Sequence, residues 1–71
     1  MKRFGEKLRQ LRQKQGLTVR ALAAIFEMKS HSHIADMENG RSLPSVELLV
    51  KIADYFGVTT DQLLRDDQEI D

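Results

Sequence analysis

Apolar residues recur along this chain at helical spacing, in short blocks separated by turn and cap residues. Phe4, Leu8 and Leu11 stand at i, i+4 and i+7, one stripe of an amphipathic helix predicted over about residues 3–14. Gly16 follows as its C-terminal stop. Thr18 is placed to cap a second helix that turns Leu22, Ala23 and Phe26 inward. Ser30 is the natural cap for a third, which carries Ile34 and Met37 and ends near Asn39-Gly40. Pro44 opens a fourth, with Val46, Leu49, Ile52, Ala53 and Phe56 marking its buried face and Gly57 its end. Thr59-x-x-Gln62 has the form of a capping box before a short fifth helix bearing Leu63 and Leu64. No segment alternates at period two, so the predicted class is all-α. Five helices make a compact domain over residues 1–65, and the acidic tail 66–71 is expected to fray.

With 71 residues, the chain is near the lower limit at which a domain buries a core without staples. It has no cysteine, which excludes disulfides and thiolate metal sites and fits a reducing compartment. The start, MKRFGEKLRQ, is charged from its second residue and has no apolar run that reads as a signal peptide or membrane span. A cytoplasmic, nucleoid-associated location is the expectation. Net charge is zero, but it is segregated. Residues 1–41 carry nine Lys or Arg against Glu6, Glu27, Asp36 and Glu38, a balance of +5. Residues 42–71 carry Lys51 and Arg65 against seven acids, a balance of −5. A basic face toward nucleic acid and an acidic one turned away would account for it.

The stretch from Thr18 to Arg41 holds the most information. Two short helices, a tight connection and a compact polar loop leave the second helix anchored from behind and polar outward. A helix inserted into the DNA major groove needs that arrangement. Turned at 3.6 residues per turn from Ser30, that helix puts Ile34 and Met37 inward. Ser32, Ala35, Asp36 and Asn39 point the other way, with His31 and His33 on the flanks.

The pieces in order, FGEKLRQLRQKQGLT, Leu22-Ala23, I-x-x-M-E-N-G-R at 34–41, PSVELLVKIA at 44–53 and FGVTTDQLL at 56–64, resemble the helix-turn-helix domain of the lambda-repressor/Cro-like (XRE) family. The resemblance spans about residues 3–65 and implies a lambda-repressor-like fold with the helix-turn-helix at helices two and three. It implies an ion pair between Arg12 and Glu38. It also implies that Asn39, Gly40 and Arg41 form a loop gripping a phosphate with backbone N–H groups and a guanidinium. Thr18 and the start of helix two would face the other side of the DNA backbone.

The chain departs from the family in three places. The connection from Phe26 to Ile34 is one residue longer than usual, and Glu27 stands where the family commonly has glycine. A rebuilt turn follows, with Met28 plugging the core and Lys29-Ser30 forming the added bend. Val19 replaces a glutamine that often binds phosphate, so that anchor is lost or passes to Arg20. Asp36 occupies a position that is often polar or basic; its carboxylate either accepts from cytosine N4 or is a solvated or internally paired charge.

The first turn of a recognition helix approaches the bases most closely, which nominates His31 and Ser32 for base or phosphate contacts and Ala35 for a thymine methyl. His33 is assigned to packing or the phosphate side. Arg20 and Lys29 flank the helix pair. Lys2, Arg3, Lys7, Arg9 and Lys14 are expected mostly on a solvated face, with one or two near the N-terminus reaching DNA.

The expected function is a double-stranded-DNA-binding transcriptional regulator, a repressor, acting as a homodimer on an inverted repeat. Leu63, Leu64 and Val58 either supply a dimer contact or complete the monomer core. An antitoxin-type autoregulator whose acidic tail masks a toxin, and a helix-turn-helix used only for protein interaction, are the alternatives. Metal binding is not expected, because rings at i and i+2 splay apart and no cysteine assists. No cofactor is expected either, and no nucleophile–base pair or phosphate-binding glycine loop indicates an enzyme.

Overall fold

The computed structural model describes residues 1–70 and contains five helices. They are α1 (Phe4–Lys14), α2 (Val19–Ile25), α3 (Ser32–Glu38), α4 (Val46–Phe56) and α5 (Thr60–Leu64). No strand occurs among the described residues. Phe4, Leu8 and Leu11 of α1 meet Leu22, Ala23, Phe26, Ile34, Met37, Leu49, Ile52, Ala53 and Leu63 in one buried core. The all-helical class is the one the apolar spacing predicts, and the five-helix order is the one the family resemblance implies.

Three of the first four helices end the same way. After α1, α3 and α4 the chain enters the left-handed region at Gly16, Gly40 and Gly57. There the paired N–H bonds of a Schellman motif close the helix, as in Gly16 to Gln13 (2.9 Å) and Leu17 to Arg12 (3.1 Å). After α2 the same bonds form around Glu27, which holds φ at 55° without being a glycine. Met28 then packs inward against the core while Lys29 and Ser30 stay exposed. This is the rebuilt turn that the longer connection calls for.

Helix starts differ from the sequence expectation in two places. Ser30 does not cap α3: His31 stands at the cap position with no capping side chain, and Ser30 Oγ accepts from the Ser32 N–H at 3.2 Å. The extra residue is spent as a turn before the helix. Pro44 likewise stays outside α4, which Ser45 caps by accepting from the Leu48 N–H at 3.2 Å. Val46 is therefore the first helical residue, projects past the end of the core, and is 79% exposed rather than buried. The capping box of α5 forms between Thr59 and Gln62 as its spacing predicts. Leu63 is fully buried, with Leu64 and Val58 packed beside the core, so these residues complete the monomer.

The acidic tail does not fray over residues 65–70. Helix α1 has no side-chain cap, but the residues leading into it are held by Asp66. Its carboxylate accepts from the N–H groups of Lys2 (3.1 Å) and Arg3 (3.0 Å). The Arg3 guanidinium pairs with Glu69 at 2.7 Å and with Glu6 at 2.9 Å, and Ile70 packs against the core.

Lys7, expected on a solvated face, is fully buried. Its three N–H donors are met by the carbonyls of Gln62 (2.6 Å), Arg65 (2.7 Å) and Gln68 (2.5 Å). A buried ammonium is tolerated only when its donors are satisfied in this way. Arg3 and Arg9 stay partly open to solvent but are also paired within the domain.

Candidate nucleic-acid interface

Helix α3 is held from behind at three points. Ile34 and Met37 are fully buried, and the Glu38 side chain is 3% exposed. Arg12 binds both Glu38 oxygens, Nε to Oε2 at 2.6 Å and Nη2 to Oε1 at 3.0 Å. Its third nitrogen donates to the Leu17 carbonyl at 2.9 Å. One guanidinium thus ties α1, the α1–α2 connection and the end of α3 together. Such a pair fixes geometry more than it adds net stability. Arg9 adds a second cation to Glu38 at 3.3 Å.

Close backbone approach makes this brace possible. Gly5 is buried where α1 crosses α3, and a Cβ there would overlap the carbonyl oxygens of Met37 and Glu38. The sequence did not single out Gly5, and it placed Lys7 among the basic residues of a solvated face. Lys7 had a signal, since it stands at i+3 from Phe4 on the inward stripe.

The outward side of α3 carries the residues nominated for DNA. His31, Ser32 and Asn39 are exposed, and His33, Ala35 and Asp36 are half-buried. Ser30 and Ser32 share a hydroxyl–hydroxyl hydrogen bond of 2.6 Å, which stiffens the first turn. Thr18 caps α2 by accepting from the Ala21 N–H at 3.0 Å, and Arg20 and Lys29 are exposed beside it in sequence. Among the described residues, no side-chain hydrogen bond or ion pair occupies Arg20, Lys29, His31 or His33.

The loop after α3 differs from the expectation in its chemistry. The backbone N–H groups of Asn39, Gly40 and Arg41 are all used by the helix end, donating to Ala35 (3.0 Å), Met37 (3.2 Å) and Asp36 (2.8 Å). They have no hydrogen left for a phosphate. The loop can grip an anion only through side chains, Arg41 and the amide of Asn39. The Arg41 guanidinium lies 3.7 Å from Asp36 and is 74% exposed, so it is loosely held. Asn39 Oδ1 accepts from Arg9 Nη2 at 3.0 Å, a contact that sequence spacing does not reveal.

Among the described residues, no group of three His, Asp or Glu side chains converges as a metal site. No helix is long and apolar enough to cross a membrane.

Comparison with known proteins agrees with this geometry. The model of the helix-turn-helix family matches residues 8–63. The chain is 39% identical over 59 residues to the HTH-type transcriptional regulator DdrOP3 of Deinococcus deserti, covering 83% of this chain and 45% of that protein. It is 39% identical over 67 residues to the HTH-type transcriptional activator BcrR of Enterococcus faecalis, covering 94% of this chain and 32% of that protein. The chain thus spans less than half the length of these curated relatives.

Proposed function

Because this chain belongs to the XRE-type, lambda-repressor-like helix-turn-helix family of DNA-binding transcription regulators, we propose that it reads double-stranded DNA by inserting α3 into the major groove. The observation that carries this is the asymmetry of α3. Ile34, Met37 and Glu38 are locked inward, while His31, Ser32 and Asn39 stand exposed on the other side.

In this reading His31 and Ser32 reach base edges, Ala35 meets a thymine methyl, and Asp36 accepts from cytosine N4 once Arg41 turns toward a phosphate. Thr18, Arg20, Lys29, Ser30, His33, Asn39 and Arg41 lie along the DNA backbone and set the register. The protein acts as a homodimer on a two-fold-symmetric operator, its α3 helices about one helical turn apart. It represses by occupying that operator.

Selection from a random duplex pool, followed by anisotropy at two salt concentrations, tests this. A symmetric site whose affinity falls steeply with salt is the expected outcome. His31→Ala or Ser32→Ala should then relax sequence preference, whereas Arg41→Ala should weaken all sequences alike and lower the salt slope by about 1. No enrichment and no binding at low salt would refute the proposal.

A further inference from the structure

We infer that Arg9 is a positioning residue for DNA binding, which turns the Asn39 amide so that its NH2 group faces outward and donates to a phosphate. The inference rests on the DNA-binding reading above and concerns how one of its contacts is set. A guanidinium has only donors. With Arg9 Nη2 3.0 Å from the Asn39 amide, the amide oxygen must face Arg9 and its NH2 group must face away. That assignment follows from chemistry, not from the similarity of O and N atoms.

Arg9 occupies one of the two lone pairs of the Asn39 oxygen and so fixes the turn of the amide from the protein side. The NH2 group, turned away from Arg9, is a pair of N–H donors suited to a phosphate oxygen. Among the described residues no hydrogen bond uses the Asn39 Nδ2. Because the backbone N–H groups of residues 39–41 are consumed by the helix end, this side-chain amide supplies what the backbone does not.

The surroundings favour an anion. Arg9 and Asn39 border a groove between α1 and the end of α3, also lined by Lys2 and Gln10. Its two carboxylates are already neutralised, Glu6 by Arg3 and Glu38 by Arg9 and Arg12. Arg9 is itself anchored, its Nε on Glu38 at 3.3 Å, so the ion-pair brace of α3 also sets the orientation of the Asn39 amide.

The test compares the full chain with Arg9→Met, Asn39→Ala and the double variant, on the selected operator and on a random duplex. Each single change should weaken binding about three- to tenfold on both DNAs, the worth of one ordinary hydrogen bond. The double variant should be no weaker than either single one, and Arg9→Met should keep the wild-type salt slope.

In the free protein, Arg9→Met should shift the Asn39 side-chain amide resonances, while Arg12 still holds Glu38 and the thermal midpoint stays within a few degrees. Additive losses with a lower salt slope would mean that Arg9 touches phosphate itself, and would overturn the inference. Unchanged binding by Asn39→Ala would overturn it too, leaving the DNA-binding reading intact. Failure of the wild type to bind any duplex would overturn both, and unmoved Asn39 resonances would reject the inference without reference to DNA.

Discussion

Two backbone positions separate what side-chain type does from what main-chain geometry demands. At Gly5 the obstacle is space: the missing Cβ lets α1 rest on the carbonyl oxygens of Met37 and Glu38. Gly5→Ala would gain about 1 kcal/mol in helix propensity. It would also force a methyl group against rigid backbone, an overpacking cost of roughly 1–3 kcal/mol. The expected net result is a lower urea midpoint and a displaced α3. At Glu27 the obstacle is conformation, since its φ of 55° is one that L-residues avoid at a cost of about 1–2 kcal/mol. A carboxylate at the end of α2 adds repulsion from the helix dipole. Glu27→Gly should therefore stabilise by about 1 kcal/mol, partly offset by the entropy of glycine in the unfolded chain, and urea unfolding would register it as a raised midpoint.

The elements were largely legible from apolar spacing and stops. The stripe Phe4, Leu8, Leu11 and the glycines at 16, 40 and 57 describe α1 and three helix ends. Two helix starts were not legible. Ser30 and Pro44 are each good starting residues by type, but the chain uses one as a turn and leaves the other outside, and only packing of the next helix decides that. The exposed side of α3 follows from its period. The contacts across it depend on how α1 crosses, which sequence spacing does not encode. Hence Arg9 with Asn39, and Lys7 with its three carbonyls, were invisible. The brace behind α3 makes its own prediction. Glu38→Gln removes the charge that holds two guanidinium groups, leaving Arg12 at 13% exposure without its partner. We expect a loss of roughly 3 kcal/mol, the lower end for breaking a buried pair because Arg12 keeps some water contact. Calorimetry of the free domain would measure it, and a loss within error of zero would mean that the pair is dispensable.

Taken over the whole molecule, the basic excess of the first 41 residues overstates the charge offered to DNA. Lys7 and Arg12 face inward partners, and Arg3 and Arg9 are paired with carboxylates of the domain, so much of that positive charge is met within the domain itself. The clasp between the two ends also gives the fold an acid limit. Asp66 is held below its ordinary pKa by the Arg3 N–H, against the opposing effect of burial, and then by the Lys2 N–H. Glu69 is lowered by its hydrogen bond to the Arg3 guanidinium and by that charge. A depressed carboxylate contributes stability that is complete above its unfolded pKa and is lost as pH falls through the folded one. The urea midpoint should therefore stay level through neutrality and drop only below about pH 4, and Asp66→Asn should lower the plateau and flatten the drop. Contacts between residues 3 and 69 are also unusually distant for a small helical domain. A ribosome delivers those residues in order, so α1 emerges long before Asp66 and Gln68 exist to hold the residues leading into it and surround its buried ammonium. Helix α1 is thus made well before the residues that complete its surroundings. Chains cut short before the clasp is translated keep the core contacts of α1. They lack two of the three carbonyls around Lys7 and the partners of residues 2 and 3, and should be less stable for it.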